Sequence, residues 1–178
     1  MLFFDLDLFK QINDRFGHAE GDALLKEFGN ILRSQIREID LAARYGGDEF
    51  VLVLDNLADE QAAVKVARRI QEELNLPIDV AGHLVNLTAS IGIAYGTGNL
   101  LSAEQLLRDA DIAMYQAKHG GKVQFAVFDE TMHAAAQRRV MMETALRHAL
   151  SNSEFHLHFQ PIVALDTGEL HSFEALLR

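Results

Sequence analysis

The chain has 178 residues, of which 49% are apolar and 24% charged, as in ordinary soluble globular proteins. Its net charge of −10 argues against a nucleic-acid polymer as partner, because that needs a basic surface, and suits a site that collects divalent cations. No cysteine is present, which excludes disulfides and thiolate metal sites. No apolar run reaches membrane-spanning length. We expect no membrane contact from this segment and a cytoplasmic location, which includes the cytoplasmic part of a membrane-anchored protein.

The beginning of the chain predicts a strand and two helices. The short apolar run Leu2–Leu6 contains Asp5, which is typical of a buried strand that delivers a carboxylate at its C-terminal end. Apolar residues at helical spacing predict a short helix over Leu8–Phe16 and a second helix over residues 24–36. Between these helices, the polar segment Gly17–Asp22 contains glycines and predicts a loop.

The segment Arg44–Phe50, followed by an apolar run, is the stretch around which the chain is organised. Two adjacent glycines between β-prone segments predict a two-residue turn with positive φ at Gly46 and Gly47. Asp48 and Glu49 then lie at the start of the second strand, where little bulk prevents a phosphate or a metal from approaching. Taken alone, four such residues more often form an acidic hairpin tip with nothing bound.

The chain continues to alternate helices and strands as far as residue 129. Asp59 can cap a helix that stops before Pro77, and Ser102 begins a capping box for a helix that ends at Gly120. Further strands are predicted over Ile78–Val80, His83–Tyr95 and Val123–Phe128. This order predicts an α/β or α+β fold in which helices cover a sheet.

The C-terminal part has a different pattern. Glu130–Leu150 predicts a longer helix that connects two regions, and Asp166-Thr167-Gly168 predicts the turn of a β-hairpin between Phe155–Leu165 and Leu170–Leu176. The predicted segments are a first domain over residues 1–129, a connector helix over 130–152 and a fragment over 153–178.

Asp5 and Asp48 are candidate metal ligands because of their predicted positions. If the hairpin pairs beside the first strand, these two carboxylates meet. Paired carboxylates with a nearby carbonyl form the oxygen cage that Mg²⁺ prefers, and in nucleotidyl transfer two such ions clamp the reacting oxygens. The alternative for Asp5 alone is a solvated strand end. We interpret Asp7 as structural, since strand alternation turns it away from its neighbours.

The helix after Asp5 predicts a phosphate site, because the free backbone N–H groups of Leu8, Phe9 and Lys10 would face whatever the metal holds. Asn13 and Asp22 offer an amide and a carboxylate that together could bind the edge of guanine. Helix-surface polarity and N-capping are the alternatives for these two residues.

Lys118 and Lys122 bracket a glycine-rich helix end and could neutralise phosphate charge, although the helix dipole alone also favours cations there. Three histidines lack the spacing of metal ligands and are interpreted as surface or loop residues: His18, His83 and His119.

Several of these motifs follow one another over roughly residues 1–129. They are Phe4–Lys10, Ile12–Asp14, Gly17-His18, Gly21-Asp22, Arg44–Phe50, Ala110-Asp111 and Ala117-Lys118. In this order and spacing they resemble the GGDEF family of diguanylate cyclases. A run of motifs this long is far more specific than the hairpin tip alone.

The resemblance implies a nucleotide-cyclase palm, a mainly antiparallel sheet flanked by helices. It implies that two GTP molecules condense to cyclic di-GMP, that each releases pyrophosphate, and that a homodimer is needed because one domain binds one GTP. By the same likeness Asp48 and Glu49 are the catalytic carboxylates, with Asp48 helping to deprotonate the 3′-hydroxyl. The residues that would hold Mg²⁺ (or Mn²⁺) are Asp5, the Leu6 carbonyl, Asp48 and Glu49.

The implied substrate contacts are spread along the same motifs. They are phosphate contacts from Leu8, Phe9, Lys10, Lys118 and Lys122, guanine contacts from Asn13 and Asp22, and room for the nucleotide at Gly46 and Gly47. The chain departs from the family pattern after Lys122, where Val123 takes a place commonly held by Asn. The helix that normally precedes the first strand is missing, and the resemblance implies an upstream sensor domain in the full protein.

Two further resemblances concern regulation. Arg37 and Asp40 resemble the family's RxxD inhibitory site, where cyclic di-GMP binds and locks the domains apart, although Arg and Asp at a helix end could merely pair with each other. Phe159–Val163, Gly168 and Glu174–Arg178 resemble the opening of an EAL cyclic di-GMP phosphodiesterase domain. The chain stops before the remaining metal carboxylates of that family, so we expect this fragment to be inactive on its own.

Three functional hypotheses follow. The first is a Mg²⁺-dependent diguanylate cyclase with product inhibition. The second is a GTP-binding regulatory domain that controls an adjacent EAL phosphodiesterase without turning GTP over. The third, a purely structural dimerisation domain, leaves the clustered carboxylates unexplained.

Overall fold

The computed structural model describes residues 1–80, 82–96, 102–120 and 125–178. Residues Met1–His133 form one compact unit and Ala134–Arg178 form a second. The domain boundaries that the sequence predicts, at residues 129 and 152, stay predictions.

The first unit contains both strands and helices. Its strands are β1 (Leu2–Leu6), β2 (Leu41–Gly46), β3 (Glu49–Val53), β4 (Ile78–Val80), β5 (His83–Val85), β6 (Ala89–Ile93) and β7 (Phe125–Val127). The helices are α1 (Phe9–Phe16), α2 (His18–Ser34), α3 (Glu60–Leu74), α4 (Ala103–His119) and the start of α5 (Glu130–Ser151).

A five-stranded sheet with the order β2-β3-β1-β6-β7 is the centre of this unit. Strand β1 pairs antiparallel with both β3 and β6, and β2 pairs antiparallel with β3. Only the β6–β7 pair of this sheet is parallel in the described residues. The predicted fold, a mainly antiparallel sheet flanked by helices, is confirmed.

The alternation of side chains along β1 decides which residues face which helix. Phe3 packs with Met114 of α4 in the smaller of two apolar clusters. Asp5 follows Phe3 in the same row, so its carboxylate also lies on the α4 side. The alternate residues of β1 are fully buried on the opposite face, in the larger cluster with side chains of α2 and α3: Leu2, Phe4 and Leu6.

Helix α4 lies directly on the backbone of β6 at Gly92. A Cβ atom at this position would come within 1.9 Å of the Ala110 carbonyl oxygen and 2.2 Å of the Met114 nitrogen. Since both neighbours are backbone atoms of the helix, only glycine allows the helix to pack this close. The contact therefore sets the distance between the sheet and the residues that α4 carries.

The two predicted helix caps are confirmed. The Asp59 carboxylate accepts a hydrogen bond from the Ala62 N–H at 2.8 Å, at the start of α3. The Ser102 hydroxyl accepts one from the Gln105 N–H at 3.2 Å, at the start of α4. Each cap satisfies a backbone donor that the first helical turn leaves free.

The loop predicted over Gly17–Asp22 is wrong, because α2 already begins at His18. Only Gly17 separates α1 from α2, and its φ of 104° is a conformation that favours glycine. The polar side chains of this segment belong to the first turn of α2, where an acidic residue such as Glu20 is favoured by the helix dipole. The helix ends at Ser34 rather than at residue 36.

The long strand predicted over His83–Tyr95 is also wrong. It consists of β5, which pairs with β4 in a small separate sheet, and β6, which lies in the central sheet. Leu87, between the two strands, is still buried, so the apolar alternation continues through the break and conceals it. The strand predicted from Val123 corresponds to β7, which is described from Phe125 onwards.

The hairpin between β2 and β3 exists, but its turn is shifted by one residue. Gly46 is the last residue of β2 and pairs with Glu49, so the two turn residues are Gly47 and Asp48. Gly47 has a φ of 49°, whereas Gly46 is not among the glycines with positive φ. A register shift between Arg44 and Gly46 accounts for the difference, because a bulge adds one residue to the strand.

The second unit contains most of α5 and an antiparallel hairpin of β8 (Leu157–Val163) and β9 (Leu170–Leu177). The turn of this hairpin includes Gly168 with a φ of 72°. The predicted C-terminal helix and hairpin are thus present. Both strands of the hairpin expose apolar side chains, among them Leu157, Phe159 and Phe173.

Candidate active site

The pairing of β1 with β3 brings the predicted carboxylates together. Asp5 lies directly opposite Glu49 in the antiparallel register, so their side chains emerge on the same face of the sheet. The Leu6 N–H donates to the Asp48 carbonyl oxygen at 3.2 Å, which ties the turn to the end of β1. The end of the first strand and the tip of the hairpin therefore share one place in the fold.

Helix α4 supplies the charges above this place. The Lys118 Nζ donates to the Asp5 Oδ1 at 2.6 Å. Asp111 lies two helical turns earlier on the same face of α4. Its charge raises the pKa of Glu49, and the charge of Asp5 in turn raises the pKa of Asp111. We call Asp5, Asp48, Glu49, Asp111 and Lys118 the acidic cluster.

The carboxylates of the acidic cluster repel one another. Burial raises the pKa of Asp5, and Asp48 and Asp7 add to this effect while the Lys118 ammonium opposes it. The pKa of Glu49 is raised by burial and then by Asp111. For Asp111, burial and the charge of Asp5 raise the pKa.

Lys118 is the cation that partly balances this charge. Burial alone would lower the pKa of its ammonium, but the hydrogen bond to Asp5 and the neighbouring carboxylates raise it overall. Lys118 therefore stays charged at neutral pH. One ammonium against several carboxylates leaves the cluster with an excess of negative charge that favours additional cations.

The donor set of the acidic cluster fits a hard divalent cation, since it consists of oxygen atoms only. Within the described ranges of the chain, no three His, Cys, Asp or Glu side chains are gathered closely enough to hold an ion. Lys118 has taken one oxygen of Asp5, the carboxylate at the centre of the cluster. The donors are of the right type for Mg²⁺, and Lys118 occupies one of the two Asp5 oxygens.

The predicted phosphate segment begins with an unusual backbone conformation. Leu8 precedes α1 with φ 60° and ψ 16°, the left-handed region that a residue with a branched side chain rarely occupies. The first helical hydrogen bonds are donated by Gln11 and Ile12 to the Leu8 carbonyl. The N–H groups of Leu8, Phe9 and Lys10 are therefore outside the hydrogen-bond ladder of the helix.

The two predicted guanine ligands lie at the contact between α1 and α2. The Asn13 side chain packs against Gly21, where a Cβ would come within 1.8 Å of the Asn13 Oδ1. Asp22 is the next residue and lines a groove of about 380 Å³. Arg44 lines the same groove and donates from Nε to the Gly47 carbonyl at 2.9 Å, which links the groove to the hairpin turn.

Two of the remaining predicted substrate residues lie at the turn. Nothing lies within 4 Å of the positions that Cβ atoms would take at Gly46 and Gly47, so the turn is open. Lys122 lies outside the described residues.

Arg37 and Asp40 form a closed ion pair. The Arg37 Nε and Nη2 donate to the two Asp40 oxygens at 3.1 and 2.9 Å, and the Asp55 N–H donates to the Asp40 Oδ1 at 3.0 Å. The Asp40 side chain is 2% exposed. The Arg37 side chain is the main cause that lowers the pKa of Asp40.

Arg37 and Asp40 also line a pocket of about 320 Å³ that reaches Arg69 of α3. This pocket is at the open end of the β2–β3 hairpin, where Leu41 pairs with Val53. It is therefore about 17 Å from the turn, the length of the intervening strand. The structure does not bring Arg37 and Asp40 to the acidic cluster.

Comparison with known families identifies the family of this chain. The family described as "Diguanylate cyclase, GGDEF domain" matches residues 1–124. The chain belongs to the GGDEF diguanylate cyclase domain family.

Relatives of this GGDEF domain occur in Pseudomonas aeruginosa. The chain is 38% identical over 178 residues to the cyclic di-GMP phosphodiesterase NbdA. This match covers 100% of the chain and 23% of the relative. It is 39% identical to the bifunctional diguanylate cyclase/cyclic di-GMP phosphodiesterase MucR, with 100% of the chain and 26% of the relative covered. The chain thus spans about a quarter of the length of these curated relatives.

A solved structure supports the fold of the GGDEF domain. The GGDEF domain of YfiN (also called TpbB) from Pseudomonas aeruginosa superimposes with a TM-score of 0.72 at 39% sequence identity. The match covers 76% of this chain and 80% of that chain. No helix in the described parts of the chain is long and apolar enough to cross a membrane.

The sequence did not reveal that Asp111 of this GGDEF domain belongs to the acidic cluster. The interval between Asp111 and Lys118 is two helical turns, which places both side chains on one face of α4. This spacing could have assigned Asp111 to the same site once Lys118 was chosen.

Proposed function

We propose that this GGDEF domain condenses two molecules of GTP to cyclic di-GMP and releases pyrophosphate from each. The observation that carries the proposal is the direct pairing of Asp5 with Glu49 on neighbouring strands, beside Lys118 and the turn that contains Asp48. Phosphoryl transfer depends mostly on positioning and on neutralising charge, and these are the groups that provide both.

Asp5, the Leu6 carbonyl, Asp48 and Glu49 are proposed to hold Mg²⁺ or Mn²⁺. When bound, such an ion supplies positive charge to the triphosphate and the leaving pyrophosphate. The excess of negative charge in the acidic cluster supports this role. Lys118 then exchanges its contact with Asp5 for a phosphate oxygen of the substrate.

The reaction joins two nucleotides, each held by one domain. The 3′-hydroxyl oxygen of one GTP forms a bond to the α-phosphorus of the other, and the bond from that phosphorus to the pyrophosphate oxygen breaks. Asp48, with Glu49 beside it, accepts the hydroxyl proton. Because a single domain binds one GTP, two domains must face each other, and we propose a homodimer as the active form.

The substrate contacts are proposed for the surrounding segments. Leu8, Phe9 and Lys10 donate backbone N–H groups to phosphate, and their position outside the helical ladder supports this role. Guanine is proposed to lie against Asn13 and Asp22, beside the open turn of Gly46 and Gly47, and Lys122 to assist Lys118 at the triphosphate.

Product inhibition is proposed at the pocket of Arg37 and Asp40. This pocket contains a second arginine, Arg69, which donates from Nη2 to the Gln35 carbonyl at 2.6 Å. Two guanidinium groups suit the phosphates of cyclic di-GMP. Binding requires Arg37 to release Asp40, at least in part.

The second candidate function is that of a GTP-binding regulatory domain that controls an adjacent EAL phosphodiesterase without turnover. It is supported by the name of NbdA, a phosphodiesterase, while the bifunctional name of MucR supports both candidates. We propose that residues 153–178 begin such an EAL domain and are inactive alone. We also propose that the full protein is a bacterial signalling protein with an upstream sensor domain, and that it is cytoplasmic or the cytoplasmic part of a membrane-anchored protein.

Turnover of GTP separates the two candidates. The chain, an Asp48→Asn variant and a Glu73→Gln control are incubated with GTP and Mg²⁺ at concentrations that allow dimers, and cyclic di-GMP is measured by chromatography. Glu73 is an exposed acidic residue of α3, so its variant removes one charge far from the proposed chemistry. We expect product from the parent and the control but not from Asp48→Asn. Binding of GTP by the parent without any product supports the regulatory candidate instead.

A further inference from the structure

The carboxylate of Asp7 is held by two hydroxyl groups, one from β6 and one from the residue that precedes this strand. The Thr88 Oγ1 donates to the Asp7 Oδ2 at 2.7 Å, and the Ser90 Oγ donates to the Asp7 Oδ1 at 2.9 Å. In addition, the Asp7 N–H donates to the Thr88 carbonyl at 2.9 Å. We call this arrangement of Asp7, Thr88 and Ser90 the Asp7 clamp.

The Asp7 clamp extends the pairing of β1 with β6 beyond the end of β1. The ladder between these strands runs as far as Leu6 opposite Ala89, and Asp7 continues it by pairing with Thr88. Ser90 is 6% exposed and lies directly opposite Asp5. The clamp therefore fixes the chain at the point where it leaves the sheet, next to the acidic cluster.

The residue that follows the clamp has a conformation that needs support. Leu8 has a positive φ, a backbone conformation that is unfavourable for a residue with a side chain. Its side chain is 65% exposed, so little burial compensates for this conformation. On its C-terminal side, Leu8 is held by the first hydrogen bonds of α1. On its N-terminal side, the Asp7 clamp is the anchor.

We propose that Asp7 is a positioning residue for the phosphate subsite of this GGDEF domain, and that it acts by holding Leu8 so that the N–H groups of Leu8, Phe9 and Lys10 face the triphosphate. The inference rests on the proposed binding of GTP. It assigns to Asp7 a role through the backbone, without contact to the nucleotide. The clamp orients donors before the substrate arrives, which lowers the cost of ordering them on binding.

The test removes the two donors of the clamp and leaves the Asp7 charge in place. In a Thr88→Val/Ser90→Ala variant, we expect the affinity for GTP in the presence of Mg²⁺ to fall about tenfold, whereas the affinity for GMP falls less than about twofold, because the segment acts on the distal phosphates. The matched control is Thr131→Val/Ser34→Ala. It removes a hydroxyl that Thr131 donates to Asp129 and one that Ser34 donates to the Ile31 carbonyl, both outside the site.

Two further measurements make the result decisive. Backbone chemical shifts of Leu8, which report its positive φ, should change in the Thr88→Val/Ser90→Ala variant without nucleotide and stay unchanged in the control. A Thr88→Ser variant retains the hydroxyl and should keep both the shifts and the affinity of the parent. If the double variant does not fold, the comparison of Thr88→Val with Thr88→Ser provides the same test.

An unchanged ratio of GTP to GMP affinity in a folded double variant overturns the inference and leaves the proposed function intact. Unchanged Leu8 shifts overturn it as well, since the clamp would then not hold this residue. A parent that binds no GTP contradicts the proposed function itself, and the positioning role falls with it.

Discussion

The carboxyl groups at the two ends of the β2–β3 hairpin have pKa values that are shifted in opposite directions. At the turn, burial and mutual repulsion raise the pKa values of Asp5, Glu49 and Asp111. At the open end, Arg37 and backbone N–H groups lower the pKa of Asp40. The first group is short of positive charge, while the second already satisfies its own carboxylate.

This difference indicates what each region requires of a ligand. The acidic cluster has an excess of negative charge, so a bound cation would relieve repulsion that exists in the free protein. The Arg37 guanidinium would lose its hydrogen bonds to Asp40 if it bound an anionic ligand. Such a ligand must therefore interact with Arg37 more favourably than the Asp40 carboxylate does. Sites of the first kind are typical of catalysis, and sites of the second kind resemble switches.

The strongest test of the comparison is Asp5→Asn. We expect the formation of cyclic di-GMP to fall about 10²–10³-fold, because the variant removes a carboxylate from the centre of the acidic cluster and the partner of Lys118. The free energy of unfolding should change little. Turnover by chromatography and chemical denaturation, measured on the same samples, check both parts. A variant that keeps its turnover would remove Asp5 from the chemistry.

At the other end, Asp40→Asn should affect stability instead of turnover. The carboxylate accepts hydrogen bonds from Arg37 and from the Asp55 N–H, and its replacement should lower the free energy of unfolding by about 2 kcal/mol. Asp79→Asn is the control, since the Asp79 carboxylate accepts a hydrogen bond from the backbone N–H of Gly82 in a tight turn. Equal losses in the two variants would argue against a special role of the Arg37 pair.

The stabilising effect of Asp40 should depend on pH in a defined direction. Its folded pKa lies below the unfolded value of about 4, so the contribution is fully present above the unfolded value and is lost as the pH falls through the folded pKa. Denaturation midpoints recorded from neutral to acidic pH should fall more steeply for the parent than for Asp40→Asn. Parallel curves would contradict the assignment of this pKa.

The smallest expected effect is a gain. A folded pKa above the unfolded value means that a carboxylate destabilises the protein when ionised, so Asp111→Asn should be more stable than the parent at neutral pH without divalent cations. Because the Asp111 side chain is only partly removed from solvent, we expect a gain of about 0.5 kcal/mol or less. Addition of Mg²⁺ should reduce the difference, and thermal unfolding with and without the ion measures it.

The sequence predicted most helices, strands and caps because these depend on local signals such as apolar spacing and capping side chains. It failed where tertiary contacts decide. The polar segment after Gly17 is helical although its composition is typical of a loop, because a single glycine is enough to separate α1 from α2. The apolar alternation around Leu87 conceals the step from one sheet to another. The position of the turn depended on a bulge, which no short motif reveals.

In the candidate site too, local signals predicted some residues, and tertiary contacts determined the others. Asp5, Asp48 and Glu49 could be predicted from strand ends and from a turn, and the structure places them side by side. The contact of Lys118 with Asp5 spans more than a hundred residues, so only the fold reveals it. The same holds for the hydroxyl groups that hold Asp7.

The site is divided between two structural layers, since Asp5 and Glu49 belong to the sheet while Asp111 and Lys118 belong to α4, which rests on the bare backbone of Gly92. If this helix lifts from the sheet in a local fluctuation, the two halves separate without global unfolding. A bound cation and nucleotide would contact both layers and would stabilise the packing of α4 on the sheet. Amide hydrogen exchange along α4 should consequently slow on ligand binding, even at residues that never touch the ligand.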